Sequence, residues 1–598
     1  MGQTYSIFGA GPGGLYTAWR LLSSGKLQSS DTLNLYEWGT YDFTGEGKER
    51  QPAGRICTHH YIDDDSATYI EIGGMRFIEW DGTNTPTAKG HRLVTKTVND
   101  VGLGPDVVNF LTVDDPLYFL RGQHFYQSDL VDNGGDVIAP YNTPGVNEAS
   151  PDDLYSHISD LITGTTPLKD RTEQCAFYAS GTLPSTFNSF VYNPGDVASN
   201  VGYWNVFYDQ AGNEGFSYAA DGGGYSSNVI NWNAANAAVY NGEFAPGGAF
   251  KTINGGYSRL FVELYNKACE AAANSGARFS LHQGERLHSI WMYGDAIKFK
   301  LATADDPFSP SSGDAMDTDL AFLAMPPNAV DIVAQATRFE NVPGRTDFLN
   351  NAQVANYLGS VIEQPSYKIA MFFEEPWWEN TTYPPRLEAT LNHQKTTENV
   401  FGPTITDLPL RQVYYFGDNA LPNEEGEAIY GLLASYDDMR YITFWRGLEL
   451  AVDERRDQAI NRDFQPLEGG REGSPQMEQM LRLELAKLHY GDPDAANEIP
   501  MPKSTIFMDW GLNPFGAGYH AWAANYDITD VMQKIRSPAQ LAGVADAKVF
   551  LIGSAFSNDQ AWVEGAFCTA ESVLVDYLQM DPLIDLSVYP PICGTRCG

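Results

Sequence analysis

Thr4-Tyr5-Ser6-Ile7-Phe8 runs into Gly9-Ala10-Gly11-Pro12-Gly13-Gly14 and then into Leu15-Tyr16-Thr17-Ala18-Trp19-Arg20-Leu21-Leu22. The first segment reads as a buried strand, the second as a tight turn and the third as the start of a helix. Gly9, Gly11 and Gly14 fit G-x-G-x-x-G. The first glycine permits the turn, the second lets the backbone approach a pyrophosphate, and the third lets the helix pack on the strand. The helix N-terminus then faces the anion. A second strand follows at Thr32-Leu33-Asn34-Leu35-Tyr36 and ends at Glu37. A carboxylate there, about 20 residues past the glycines, can accept hydrogen bonds from a ribose 2′-hydroxyl. Arg or Lys would suit a 2′-phosphate, so Glu37 argues against NADP. NAD and FAD both stay open at this point.

The next segments choose between them. Ala53-Gly54-Arg55-Ile56 is followed by Tyr69-Ile70-Glu71-Ile72-Gly73-Gly74-Met75-Arg76-Phe77, and Val549-Phe550-Leu551-Ile552-Gly553-Ser554 by Asp559-Gln560-Ala561-Trp562-Val563-Glu564-Gly565-Ala566-Phe567. Together these resemble the flavin-dependent amine oxidase superfamily. The resemblance implies non-covalent FAD, held by Gly9, Gly11, Gly14, Glu37, Arg55, Gly74, Met75, Arg76, Gly553, Ser554, Trp562 and Val563. Arg55 is expected near the pyrophosphate, and Gly74 and Met75 along the flavin ring. Two residues depart from the pattern: Ser554 stands where a glutamate is usual, and Ala561 where a glycine is usual. The Ala561 carbonyl can still accept from a substrate amine. Ile253-Asn254-Gly255-Gly256-Tyr257-Ser258-Arg259-Leu260 and Leu320-Ala321-Phe322-Leu323-Ala324-Met325-Pro326 resemble the segments where the superfamily's chain re-enters and leaves the FAD domain.

Within the superfamily the L-amino acid oxidase branch fits best. An amino-acid carboxylate calls for a bidentate cation and a hydroxyl donor. Arg76 matches the branch's carboxylate arginine, and Tyr436 in Leu432-Leu433-Ala434-Ser435-Tyr436-Asp437-Asp438 its tyrosine. Lys368, in Tyr367-Lys368-Ile369-Ala370-Met371-Phe372-Phe373, matches the lysine that holds a water beside the flavin. Trp510 and Trp562 are expected to wall the site. Some relatives use a histidine of the helical domain as an amine base. The comparable stretch here, residues 202–225, contains none. The implied reaction is oxidation of an L-amino acid by dioxygen to a 2-oxo acid, ammonia and hydrogen peroxide. An amino-acid 2-monooxygenase, a monoamine or polyamine oxidase, and a flavin-binding protein with decayed catalysis remain as alternatives. The resemblance also implies a homo-oligomer, a dimer.

The expected fold class is α/β, a Rossmann-like FAD-binding domain of the glutathione-reductase type with a mixed-sheet substrate domain and a helical insertion. FAD-domain pieces are expected at 1–75, 246–325 and 541–580, substrate-domain pieces at 76–120 and 326–540, the insertion at 121–245, and an irregular tail at 581–598. Ala451 to Leu488 reads as a charged, helix-prone surface stretch.

Bulk properties agree. The chain has 598 residues, 43% hydrophobic, 19% charged and 13% aromatic. That is a globular composition, long enough for roughly three or four domain-sized units. The formal charge of −38, from 38 Lys+Arg and 76 Asp+Glu, repels phosphate backbones and anionic lipid surfaces, which argues against nucleic-acid and membrane partners. Its partners are expected to be an L-amino acid and dioxygen. Six cysteines give no disulfide framework and no metal-site spacing. Cys57, Cys175, Cys269 and Cys568 read as scattered small apolar residues. Cys593 and Cys597 are close enough in sequence to close a small loop. No apolar run reaches the roughly 20 residues of a membrane span, and no signal peptide is visible. A soluble protein, cytoplasmic or secreted, is expected.

Overall fold

The computed structural model describes residues 2–40, 51–61, 67–166, 168–225, 232–243, 250–303, 306, 309–310, 313–420, 427–450 and 470–594. The opening strand forms over Thr4–Phe8 and the helix over Pro12–Ser23, with Gly11 at the N-cap and Pro12 in the first turn. Proline suits that position because its missing N–H would have had no intrahelical partner. Thr4–Phe8 is the middle strand of a five-stranded sheet, in the order Arg278–Gln283, Thr32–Glu37, Thr4–Phe8, Leu320–Leu323, Val549–Leu551. All four ladders are parallel. Parallel neighbours need long crossovers, so strands more than 500 residues apart in the chain share one sheet.

The helices Pro12–Ser23 and Val563–Asp576 pack against each other. Tyr16 stacks on Phe567 with centroids 4.3 Å apart. The Tyr16 hydroxyl donates to Glu571 over 2.8 Å, and Arg20 donates to the same carboxylate over 2.8 and 3.0 Å. All three side chains are buried. Removing one partner would strand a buried charge, at about 3–5 kcal/mol. The two ends of the chain are thereby fixed side by side.

The second layer is an eight-stranded mixed sheet. Its order is Arg471–Glu472, Ser504–Asp509, Ser366–Phe373, Tyr430–Asp438, Gln412–Gly417, Thr404–Thr406, Leu117–Leu120, Gln123–Tyr126. Thr404–Thr406 runs parallel to Leu117–Leu120 and the other neighbours are antiparallel. Ser366–Phe373 is buried along its whole length. Between the sheets in sequence come helices Pro151–Thr163, Arg171–Ser180, Tyr203–Gly222 and Ala234–Glu243.

Two sequence expectations are corrected. Residues 451–469 of the charged stretch lie outside the described residues, but its continuation is not a surface element. The helix Pro475–Tyr490 buries Met477, Leu481, Leu485, Ala486 and Leu488 in a core with Trp377, Trp378 and Trp445. Leu481, Leu485 and Leu488 fall on one face at 3.6-residue spacing, a signal masked by the flanking charges. Cys175 is disulfide-bonded to Cys593, across 418 residues. That pairing depends on a helix of the insertion meeting the C-terminal segment in space, which spacing cannot show. Cys597 lies outside the described residues. The C-terminal segment is irregular but not loose: Tyr589, Ile592 and Cys593 are buried. No helix among the described residues is long and apolar enough to cross a membrane.

Candidate active site

One cavity runs between the two layers. Its lining includes Gly9, Gly11, Pro12, Gly13 and Glu37 at one end and Lys368, Tyr436, Trp510, Ala561 and Trp562 at the other. Two helix N-termini open onto it, those of Pro12–Ser23 and Val563–Asp576. Both present unpaired backbone amides and positive dipole ends. Gly9 has φ +114°, and a Cβ there would lie 2.3 Å from the Ala324 carbonyl oxygen. A Cβ on Gly14 would lie 1.8 Å from the Gly9 carbonyl oxygen. Neither position accepts a side chain. Glu37 ends its strand and accepts the Ala10 amide at 2.6 Å and the Gly39 amide at 2.7 Å. It therefore braces the glycine turn in addition to facing the cavity. Arg55 lines the cavity and donates to the Gly518 carbonyl at 3.0 Å. Burial pushes its pKa down to about 10. Glycine turn, strand-end carboxylate, arginine and two helix ends together fit a flavin dinucleotide, with anion-binding groups along a walled slot.

The far end is built by register. Lys368 lies opposite Tyr436 on one neighbouring strand and Met508 on the other, and Tyr436 lies opposite Gln412. These residues form one cross-strand row, in which directly opposed side chains share a face. The Lys368 Nζ donates to the Gly73 carbonyl at 2.5 Å and the Glu71 carbonyl at 3.4 Å, and it lies 4.2 Å from the Tyr436 ring centroid. The Trp510 indole N–H donates to the Ile72 carbonyl at 2.8 Å. The Glu71–Gly73 segment is thus gripped by the sheet from two sides. Burial pushes Lys368 down to about 7, opposed by the nearby Glu71 charge and reinforced by Arg76. Burial pushes Glu71 up to about 8, against hydrogen bonds from the Tyr257 amide and the Thr58 hydroxyl and the charge of Lys368.

Arg76 packs its guanidinium over Phe250, 4.0 Å from the centroid, and near Phe110 at 5.3 Å. Its Nη1 is buried without a hydrogen-bond partner, and among the described residues no carboxylate pairs with it. Its charge acts on Lys368, Tyr225, Tyr414 and Tyr436. Burial raises the pKa values of all three tyrosines, so they stay protonated donors. Trp562 is the N-cap of Val563–Asp576, lying 6.1 Å from Phe250 at 19° and meeting His91 edge-on at 4.7 Å. Ala561 takes φ +69° just before it.

Of the expected residues, Gly9, Gly11, Glu37, Arg55, Gly74, Lys368, Tyr436, Trp510, Gly553, Ser554, Ala561, Trp562 and Val563 line the cavity. Gly14, Met75 and Arg76 do not. Gly14 lies behind the turn, Met75 is buried in the core, and Arg76 sits beside the tyrosines. Sequence reasoning missed Gln412 and Tyr414, and it did not single out Tyr225 from the aromatics of residues 202–225, read as shaping a side-chain pocket or packing the core. The Tyr414 hydroxyl donates to Gln412 at 2.9 Å, Gln412 Nε2 to the Gly224 carbonyl at 3.1 Å, and Tyr225 meets Tyr436 edge-on at 5.4 Å. A glutamine in an otherwise apolar buried strand was the available signal. Trp38, Glu285 and Arg286, at the Glu37 end, had none.

No family model matches the chain. Aplysianin-A of Aplysia kurodai is 23% identical over 592 residues, which cover 96% of this chain and 90% of that protein. L-amino-acid oxidase 4 of Hebeloma cylindrosporum is 28% identical over 246 residues, 40% of this chain and 33% of that protein. Among solved structures, putrescine oxidase bound to putrescine matches with a TM-score of 0.57 at 12% identity, covering 97% of this chain and 99% of that one. The chain has the fold of the flavin-dependent amine oxidase superfamily and resembles, in sequence, its L-amino acid oxidase branch.

Proposed function

We propose that this protein is an FAD-dependent L-amino acid oxidase. The observation that carries the reading is Arg76, a partly buried guanidinium whose Nη1 is buried and unpaired among aromatic rings and phenolic donors. Drawing a cation partly out of water without a counter-charge is costly, and a substrate carboxylate would supply one. A diamine would meet like charge there.

FAD, when bound, supplies the two-electron acceptor that dioxygen restores. The chain's residues do the rest. Arg76 binds the carboxylate, and the Tyr436 hydroxyl donates to its second oxygen. Those contacts fix Cα with respect to the cavity. Trp510 and Trp562 exclude water, which disfavours the ammonium form of the substrate and leaves a neutral amine. Lys368, with its pKa near 7, holds or releases a proton at Nζ around neutral pH. Water then hydrolyses the imino acid to a 2-oxo acid and ammonia.

The test is an anaerobic reduction panel. Bound flavin should bleach with some of the twenty L-amino acids and not with D-enantiomers or putrescine. In air, the products should be a 2-oxo acid, ammonia and peroxide. An amide product would make the protein a monooxygenase, and bleaching by putrescine alone would overturn the reading.

A further inference from the structure

Behind Trp562 lies a buried network to which the proposed chemistry gives no role. Asp559 precedes the wall, and its carbonyl accepts the Trp562 amide at 3.2 Å. Gly565 leaves no room there: a Cβ would lie 2.3 Å from that same carbonyl oxygen. The Asp559 carboxylate is gripped by Arg171, from the first turn of helix Arg171–Ser180 in the insertion. Arg171 also donates to the hydroxyl of Tyr589, in the C-terminal segment, and lies 3.9 Å from that ring's centroid. The Tyr589 hydroxyl in turn donates to Glu564 at 2.8 Å. Glu564 accepts the amides of Leu93 and Val94 at 3.0 and 2.8 Å, at the start of the helix whose N-cap, His91, packs on Trp562. Arg171, Asp559 and Glu564 are all at least nine-tenths buried. Four residues past Arg171 and four past Tyr589, the Cys175–Cys593 disulfide closes the arrangement.

We propose that Arg171, Asp559 and Tyr589, clasped by the Cys175–Cys593 disulfide, are positioning residues for the Trp562 wall, and that opening the disulfide weakens substrate binding. The inference rests on the proposed function for its substrate. Cys175 is half-buried and Cys593 fully buried, so we take the Cys175 sulfur as the one a thiolate attacks. One thiolate of a dithiol attacks that sulfur and displaces Cys593 as a thiolate. The second thiolate then displaces Cys175. The protein gains two thiols and the dithiol becomes a cyclic disulfide.

The experiment uses holoenzyme. Tyr589→Phe keeps the ring on Arg171 but removes the hydroxyl bridge. KM for the preferred L-amino acid should rise about three- to tenfold, the scale of one lost hydrogen bond, with kcat changed less than about twofold. The bound-flavin absorption spectrum should shift as the wall moves, with no substrate present. Native wild-type protein treated with dithiothreitol, its two new thiols counted, should show the same spectral shift and KM rise. Cys175→Ser/Cys593→Ser should start there and not respond. If the double variant does not fold, the reduced wild type still decides. An unchanged KM and spectrum in Tyr589→Phe and in counted, reduced wild type would overturn the proposal. A spectral shift in a protein that oxidises no L-amino acid would uphold the positioning role and sink the function reading instead.

Discussion

The two ends of the cavity are made in different ways. The nucleotide end is built around one local stretch, Gly9 to Glu37, whose backbone does much of the shaping, with Arg55 and the N-terminus of Val563–Asp576 added to it. The proposed substrate end comes from side chains on separate elements: Lys368 and Tyr436 are opposed by sheet register, Trp510 follows a strand end, and Arg76 stands outside the lining, beside Tyr436. A backbone cradle is intolerant because atoms have nowhere to go. A side-chain wall is graded, since each group adds a separable contact. Substitutions at the first end should abolish the holoenzyme, and those at the second should tune it.

The largest effect should follow Gly14→Val. Its Cβ would overlap the Gly9 carbonyl, and overpacking of backbone exceeds the usual cost of about 1–3 kcal/mol. The expected product is colourless protein after reconstitution, read by visible absorption. A yellow, active Gly14→Val protein would break the contrast. Arg76→Ala comes next. It should retain flavin but lose about 2–5 kcal/mol in kcat/KM for L-amino acids, as for a truncated charge pair. Near-normal steady-state kinetics would remove Arg76 from its role. Tyr436→Phe should cost less, about 1.5–3 kcal/mol for one hydrogen bond to a charged group, again at full flavin content.

The smallest effect probes Glu71, beside Lys368. Its pKa is raised from 4.5 to about 8, so the folded state binds that proton more tightly. The resulting stability is fully present below 4.5 and is lost as pH rises through about 8. Glutamine has no such proton to lose. The difference in melting temperature, Glu71→Gln minus wild type, should become more positive from about pH 5 to about pH 8. A flat difference would mean that Glu71 is ionised throughout.

The same contrast explains what the sequence revealed. Gly9-Ala10-Gly11 and Glu37 were readable because their geometry is local: a turn, a helix start and a strand end. Lys368, Tyr436 and Trp510 were found through family resemblance, since no local rule distinguishes a buried lysine in a strand from an edge charge. Tyr225 and Tyr414 escaped because the contacts that tie Tyr225 to Tyr436, and Tyr414 through Gln412 to Gly224, form only when distant segments meet. Cys175 was read as an isolated apolar residue because its partner lies 418 residues away.

By itself, then, the chain's order of residues determined the parallel nucleotide-binding layer, the glycine turn and the identity of the groups available for chemistry. The tertiary structure alone decided that Lys368 stands over Tyr436, that Arg76 turns a buried, unpaired Nη1 in beside three phenols, and that Cys175 and Cys593 close a clasp behind Trp562. The physical reason is range. Backbone sterics act between adjacent residues, whereas strand register, burial and ion pairing depend on where distant segments meet.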